Sequence, residues 1–269
     1  MKLFSMTLGA VLAATLAASP AEAVTREEAT IDQALIVLRE LQAIPDTQIP
    51  DLLLARAEGL VILPANVKVG FIFGARFGNG VMLVRNEDRS WSNPIFVSSG
   101  GGSWGFQAGG QVSDIVLVLT TRDSVEGITD GKLTLGADAS VAAGPVGRTA
   151  MASTSVTFDA EVYAYSKSKG LFAGVSLEGN GIFIGKKANR RFYDGVDSAA
   201  DIVASKATPP PPAPALVAEV TRLTSGAAQS VAAEAEAEKE KQTAPAKPPS
   251  EATTYPLPDP EPGTEPPGS

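Results

Sequence analysis

Ser166-Lys167-Ser168-Lys169 sets two hydroxyls and two amines in consecutive positions, inside the stretch YAYSKSKGLFAGVSLEG from Tyr163 to Gly179. In an S-x-x-K pair a lysine takes the serine proton so that the serine can attack a carbonyl. That chemistry needs the serine at a helix start, where the lysine returns over the hydroxyl one turn later. Here the four residues lie between two alternating runs and read as a hairpin, whose lysines point into water. A Ser-Lys hydrolase is therefore not expected. Gly101-Gly102-Ser103-Trp104-Gly105 matches the G-x-S-x-G elbow, but the chain contains no histidine, so a Ser-His-Asp triad is impossible and the segment reads as a glycine-rich loop. Without His or Cys only carboxylates remain for a metal, and no D-x-D-x-D-G loop occurs; Asp194, Asp197 and Asp201 share helical spacing and read as a solvated face. No G-x-x-x-x-G-K-[ST] is present either. The chain is expected to be no enzyme, with no cofactor and no metal.

What remains is cationic. Lys167 and Lys169 stand at the apparent corner, and Lys186-Lys187-Ala188-Asn189-Arg190-Arg191 is the densest basic cluster. Near an anionic bilayer each Lys or Arg contributes about 1 kcal/mol, so a few of them give weak, salt-sensitive attachment. Whether the two clusters form one patch depends on the strands between them. If Leu171–Leu177 pairs with Ile182–Gly185, they lie at opposite ends of that hairpin.

The elements that must position these residues follow from periodicity. Thr25-Arg26-Glu27-Glu28 has capping-box spacing, and Ile31, Ala34, Leu35, Leu38 and Leu41 follow on one helical face. A second short helix is expected from Pro50 or Asp51 to Glu58, with Gly59 as its left-handed cap. The period then changes to two, predicting strands at Leu60–Leu63, Val69–Ala75, Val81–Arg85, Gly105–Gly109, Asp114–Thr120, Lys132–Val141, Val156–Tyr165, Leu171–Leu177 and Ile182–Gly185. Thr121–Glu126 reads as a single helical turn. Helices first and consecutive strands afterwards predict an α+β fold: N-terminal helices packed on a strongly bent antiparallel sheet or partly closed barrel.

Composition divides the chain into three. Residues 1–23, MKLFSMTLGAVLAATLAASPAEA, have a charged Lys2, an apolar run from Met6 to Ala18 and Ala21-Glu22-Ala23, the pattern of a cleaved secretory signal. The protein is thus expected to be exported, periplasmic or secreted and peripheral to a membrane. The absence of cysteine leaves such a fold to its core alone. Residues 24–206 carry 17 Lys+Arg against 20 Asp+Glu, and residues 207–269 carry 4 against 9 together with 14 of the 20 prolines. Most of the net charge of -8 therefore sits in the last segment. It reads as a disordered tail or spacer, with a thin apolar stripe over Leu216–Lys241 interrupted at Gly226. An acidic chain with no basic, aromatic stripe argues against nucleic acid.

YAYSKSKGLFAGVSLEGNGIFIG resembles the hallmark of the SYLF domain family. The resemblance extends upstream through GVMLVRNEDRSWSNPIFVSSGGGSWGFQAGGQVSDIVLVLTTRDSVEGI and KLTLGADASVAAGPVGR, over roughly Ile31 to Gly195. It implies a lipid-binding module, since eukaryotic members bind phosphoinositide membranes and yeast relatives bind actin. In those members the membrane contact is attributed largely to a basic amphipathic N-terminal helix. Here the first helix carries Glu27, Glu28, Asp32 and Glu40 beside only Arg26 and Arg39, and is poorly suited to anionic lipid. The expectation is an exported, non-catalytic protein that binds lipid or an anionic membrane surface, with Lys167, Lys169, Lys186, Lys187, Arg190 and Arg191 as headgroup contacts. The alternative is an envelope scaffold that captures a protein partner through its tail or sheet.

Overall fold

The computed structural model describes residues 24–44, 48–70, 73–104, 109–144, 159–169 and 179–243. The expected signal peptide, the strand at 171–177 and the end of the tail lie outside them. Among the described residues, six helices and an eight-stranded, strongly curled half-barrel sheet make an α+β fold, as the sequence predicts. The main unit runs to Val231; of the second, Ala232–Ser269, the described residues are helical.

Helix α1 (Arg26–Ala43) begins where its capping box directs. The Glu28 amide donates to Thr25 Oγ1 at 3.2 Å and the Thr25 amide donates to Glu28 Oε2 at 2.6 Å. Ile31, Ala34, Val37, Leu38 and Leu41 form its buried stripe. Helix α2 (Asp51–Arg56) ends earlier than expected, with Ala57 at its C-cap. Gly59 already opens a strand, and Arg85 does the capping instead: its Nε donates to the Ala57 carbonyl at 2.7 Å and its Nη2 to the Leu54 carbonyl at 3.3 Å. Burial, more than the neighbouring Arg89 cation, pulls the Arg85 pKa down to about 10, against the opposing pull of Glu58.

The strands are β1 (Gly59–Gly70), β2 (Phe73–Val84), β3 (Ile95–Trp104), β4 (Gly109–Leu119), β5 (Lys132–Thr134), β6 (Val141–Ala143), β7 (Val162–Lys169) and β8 (Asn180–Ile184). Their order is β5-β8-β3-β2-β1-β4-β7-β6, antiparallel throughout except for β6 beside β7. Several expectations are corrected. The predicted strand Val69–Ala75 is divided between two strands: Val69 and Gly70 end β1 and pair antiparallel with Ala75 and Gly74 of β2. Gly101–Trp104 is not a loop but the end of β3. The run Lys132–Val141 alternates in sequence yet breaks into β5 and β6, because Gly136 takes a φ of +83° and Asp138 Oδ2 accepts from the Thr134 amide at 2.6 Å. The single turn after Thr121 extends to a full helix, α3 (Arg122–Thr129).

Two cores form on the two faces of the sheet. On one face α1, α2 and the last helix cover Leu60, Ile62, Val81, Leu83, Phe96, Val116 and Val118. On the other, α3 and α5 (Ala199–Ala204) cover Val61, Leu63, Met82, Ile95, Val97, Ile115, Leu117 and Ile182. Between β8 and α5 lies α4 (Lys186–Phe192). Its Asn189, fully buried, accepts from the Phe96 amide at 2.7 Å and so docks the helix on β3.

The reading of residues 207 onward as a spacer also changes. Helix α6 (Ala213–Thr243) is 31 residues long, and its Ala213, Leu216, Val220 and Ala227 are buried in the first core. Trp91 Nε1 donates to Thr224 Oγ1 on this helix at 2.9 Å. The compact region therefore runs beyond the expected limit at Lys206.

Candidate functional site

Ser166–Lys169, expected as a corner, lies within β7, and the strand 171–177 expected to follow it is outside the described residues. β7 and β8 are not neighbours in the sheet. Four strands, β3, β2, β1 and β4, stand between them, because β7 pairs along β4 while β8 adds to β3. Lys167 and Lys169 thus belong to one side of the sheet, and Lys186, Lys187, Arg190 and Arg191, all exposed on α4, to the other. Helix α1 connects the two. Lys167 Nζ lies 2.8 Å from Glu40 Oε2 near its C-terminal end, and Arg191 pairs with Glu27 at its start. Thirteen residues of helix separate these acids, about 20 Å at 1.5 Å per residue. Two of the four carboxylates that made α1 an unpromising lipid helix, Glu27 and Glu40, are therefore spent on the cationic clusters. Arg190 pairs with Asp197, whose pKa that contact lowers. Lys186 and Lys187 enter no ion pair among the described residues.

The register of the sheet reveals what lies between the clusters. Val67 pairs with Phe77 of β2 on one side and with Val112 of β4 on the other, and Val112 pairs with Lys169 of β7. Residues directly opposite share a face, so Phe77, Val67 and Val112 form one continuous apolar row that ends at the register position of Lys169. Val69 adds to it two residues along β1. The row shares its face with α1, since Val112 lies an even number of residues from Val116 and Val118 along β4, with Asp114 between, but it lies past the bulge between Leu63 and Asn66. Phe77 is 53% exposed, Val69 44% and Val112 40%. Lys167, two residues before Lys169, flanks the same face through its contact with Glu40.

At the Phe77 end the row opens into two adjoining grooves. One, of about 340 Å³, runs between α1 and the sheet and is lined by Arg26, Thr30, Gln33, Val67, Phe77 and Asn79. The next, of about 530 Å³, shares Arg26, Thr30 and Asn79 and reaches Lys186, Lys187 and Arg191. An apolar strip is thus bounded by cations at both ends, an arrangement that suits an amphiphile: hydrocarbon against the strip, anionic groups against the rim. Sequence reasoning missed Arg26, Val67, Phe77 and Val112. The alternation Val67-Lys68-Val69 carried part of the signal, but only the β1 bulge and the register bring these residues into a row.

No group of three or more potential metal ligands occurs among the described residues. Ser166 and Lys169 are both in β7, not at a helix start, so the geometry of a Ser-Lys pair is absent there. No described helix is long and apolar enough to cross a membrane.

Comparison with known proteins gives a match over residues 100–223 to the family described as Ysc84, Las17-binding protein actin regulator. The chain is 43% identical over 169 residues to LAS seventeen-binding protein 3 of Saccharomyces cerevisiae, covering 62% of this chain and 37% of that protein. It is 41% identical over 180 residues to SH3 domain-containing YSC84-like protein 1 of Bos taurus, covering 65% of this chain and 52% of that one. The human protein of the same name is 41% identical over 173 residues, half of its length. The chain therefore spans between about a third and a half of the curated relatives it matches.

Proposed function

Because residues 100–223 belong to the Ysc84 (SYLF) domain family, we propose that this chain is a non-catalytic protein that docks on lipid at an anionic membrane surface, through the exposed strip Phe77-Val67-Val112 with Val69 and the cations at its two ends. The single observation that carries this reading is the strip itself: Phe77 and Val112 exposed at either side of half-buried Val67 in one register row that ends at Lys169, with exposed Val69 beside it. Half-burying a Phe or Val contributes roughly 1 kcal/mol, and each nearby Lys or Arg about as much again, so the strip and its rim reach micromolar to millimolar affinity for a bilayer. Lys167 and Lys169 act as headgroup contacts on the β7 side, and Lys186, Lys187, Arg190 and Arg191 on the α4 side, joined by Arg26. Of these, Lys186 and Lys187 contribute most, since Lys167, Arg190 and Arg191 already share carboxylate partners.

The apolar run Met6–Ala18 and Ala21-Glu22-Ala23 support export, to the periplasm or beyond, with the protein peripheral to a membrane. Sedimentation of the chain with neutral and anionic vesicles at low and high salt tests the reading. Anionic vesicles are expected to carry the protein down, with binding reduced by salt, and Lys186→Glu with Lys187→Glu to weaken it without lowering the melting temperature. Equal sedimentation of this double variant and the parent removes the rim from the account.

A second reading, an envelope scaffold for a protein partner, is favoured by the family description, which names a Las17-binding actin regulator. On this reading the same strip receives an apolar segment of a protein, and capture by an immobilised partner persists when vesicles are absent.

A further inference from the structure

At the other end of β2 from the apolar strip lies a groove of about 1020 Å³. Val84, on its floor, stands seven residues along β2 from Phe77, about 23 Å at 3.3 Å per residue. Three elements make its walls: the connection over residues 86–93 between β2 and β3, helix α3, and helix α5 with the chain that leaves it as far as Ala207. Val84 and Val125 are buried and Val203 is half-buried, so the floor is the outer surface of the second core.

The rim is acidic. Glu87 and Asp88 stand on the connection, Glu126 on α3 and Asp130 at its C-cap, all four exposed. Two cations share the lining, Arg122 and Lys206, so four carboxylates against two cations leave a formal -2. Arg122 leans out toward Glu58, 3.7 Å away and outside the groove. Asp88 accepts from the Ser90 hydroxyl and amide, contacts that hold its carboxyl below the ordinary aspartate range and keep it ionised. Glu87, Glu126 and Asp130 enter no ion pair among the described residues. The backbone adds to their charge. Helices α3 and α5 both end in the groove, and neither has a basic residue in its last turn, so the partial negative charge of each C-terminal end is left uncompensated.

We infer that this groove receives a lysine- or arginine-rich segment of a partner protein, its cationic heads against Glu87, Glu126 and Asp130 and its aliphatic stems over Val125 and Val203. Charge complementarity selects the occupant: the surplus negative charge of the rim and of two helix ends calls for several cations, and the apolar floor calls for the hydrocarbon that Lys and Arg stems carry. The volume stands at the upper end of what a small-molecule site offers, so a stretch of chain fills it better than a lone small cation. The groove is independent of the lipid-docking reading. An anionic bilayer attracts the cations at the ends of the strip and repels this rim, so both surfaces can be occupied at once.

Fluorescence anisotropy of a labelled peptide of alternating lysine and valine, with a glutamate-and-valine peptide as control, tests this on the full chain. The lysine peptide is expected to bind saturably and more weakly as salt rises, and the glutamate peptide to show no binding. Glu126→Gln with Asp130→Asn is expected to weaken binding about five- to tenfold, since each exposed contact contributes little alone, and to leave the melting temperature unchanged. Ala204→Trp, which narrows the groove without altering its charge, is expected to weaken binding as well. Phe77→Ser is expected to leave it unchanged while reducing vesicle binding. The acidic segment 207–269 offers the lysine peptide a second place, so equal affinity in the parent and both groove variants assigns the peptide there and overturns the proposal. Displacement by spermidine as effective as by unlabelled peptide, the mark of a small-cation site, also overturns it. So does a dimer in sedimentation velocity that the Glu126→Gln, Asp130→Asn protein does not form, the mark of a second copy in the groove.

Discussion

Glu40 and Glu27 decide how much of the chain's positive charge is available to a surface. Lys167 and Glu40 form a pair at 2.8 Å with both side chains partly open to solvent, a contact worth about 0–1 kcal/mol. Glu40→Gln is therefore expected to leave the melting temperature nearly unchanged and to strengthen sedimentation with anionic vesicles about two- to threefold, by releasing Lys167. Asn189 is the opposite case. It is fully buried and its side chain is the partner of the Phe96 amide, so Asn189→Ala leaves that amide unpaired and should cost about 1–3 kcal/mol in denaturant unfolding. The cations at 186–191 were legible in the sequence as a cluster. That an asparagine among them is a core residue was not, because its partner stands 93 residues away on β3.

At the scale of elements, α6 differs most from its sequence. Ala213, Leu216, Val220 and Ala227 are its buried positions, two of them alanine, and so thin a stripe in a Pro- and Glu-rich segment reads as a solvated spacer. Burial against Trp91 and α1 supplies what propensity does not. Leu216→Ala is expected to cost about 2–4 kcal/mol by denaturant unfolding, an effect no spacer residue would have. The contacts of α6 also give it a pH dependence. Glu219 accepts from Arg222 and also faces Arg39, and these contacts hold its carboxyl below the ordinary glutamate value. A carboxylate depressed in the folded state stabilises above its unfolded pKa of about 4.5 and loses that contribution as pH falls through the lower folded value. Trp91 fluorescence, reporting the indole bond to Thr224, should thus show α6 loosening in acid below about pH 4.5, and Glu219→Gln should remove that dependence. The start of helix α1 was legible to the residue, since its capping box is local; of its face, Val37 is buried where the sequence offered Leu35. The pairing of β1 with β2 was not legible, because the chain passes from one to the other between Gly70 and Gly74 inside a run that alternates without a break.

Across the whole molecule, the sheet exchanges the character of its two faces from one end to the other. Near α2 and α3 both faces are apolar and covered by helices. Past the β1 bulge, the face shared with α1 stays apolar but uncovered, while the opposite face turns polar and buried. The family resemblance in the sequence pointed to lipid, and the basic residues pointed to an anionic surface. The strip between them was hidden because its members come from three strands and meet only through register.

The chain contains no cysteine, so a single one introduced at Phe77 can carry an environment-sensitive dye. Its emission, with a second label at Asp123→Cys on α3 as reference, tests the docking surface most directly. On addition of anionic vesicles the label at 77 is predicted to shift to the blue and the label at 123 to stay unchanged. No shift at 77, or equal shifts at both positions, would contradict a membrane surface built on this strip.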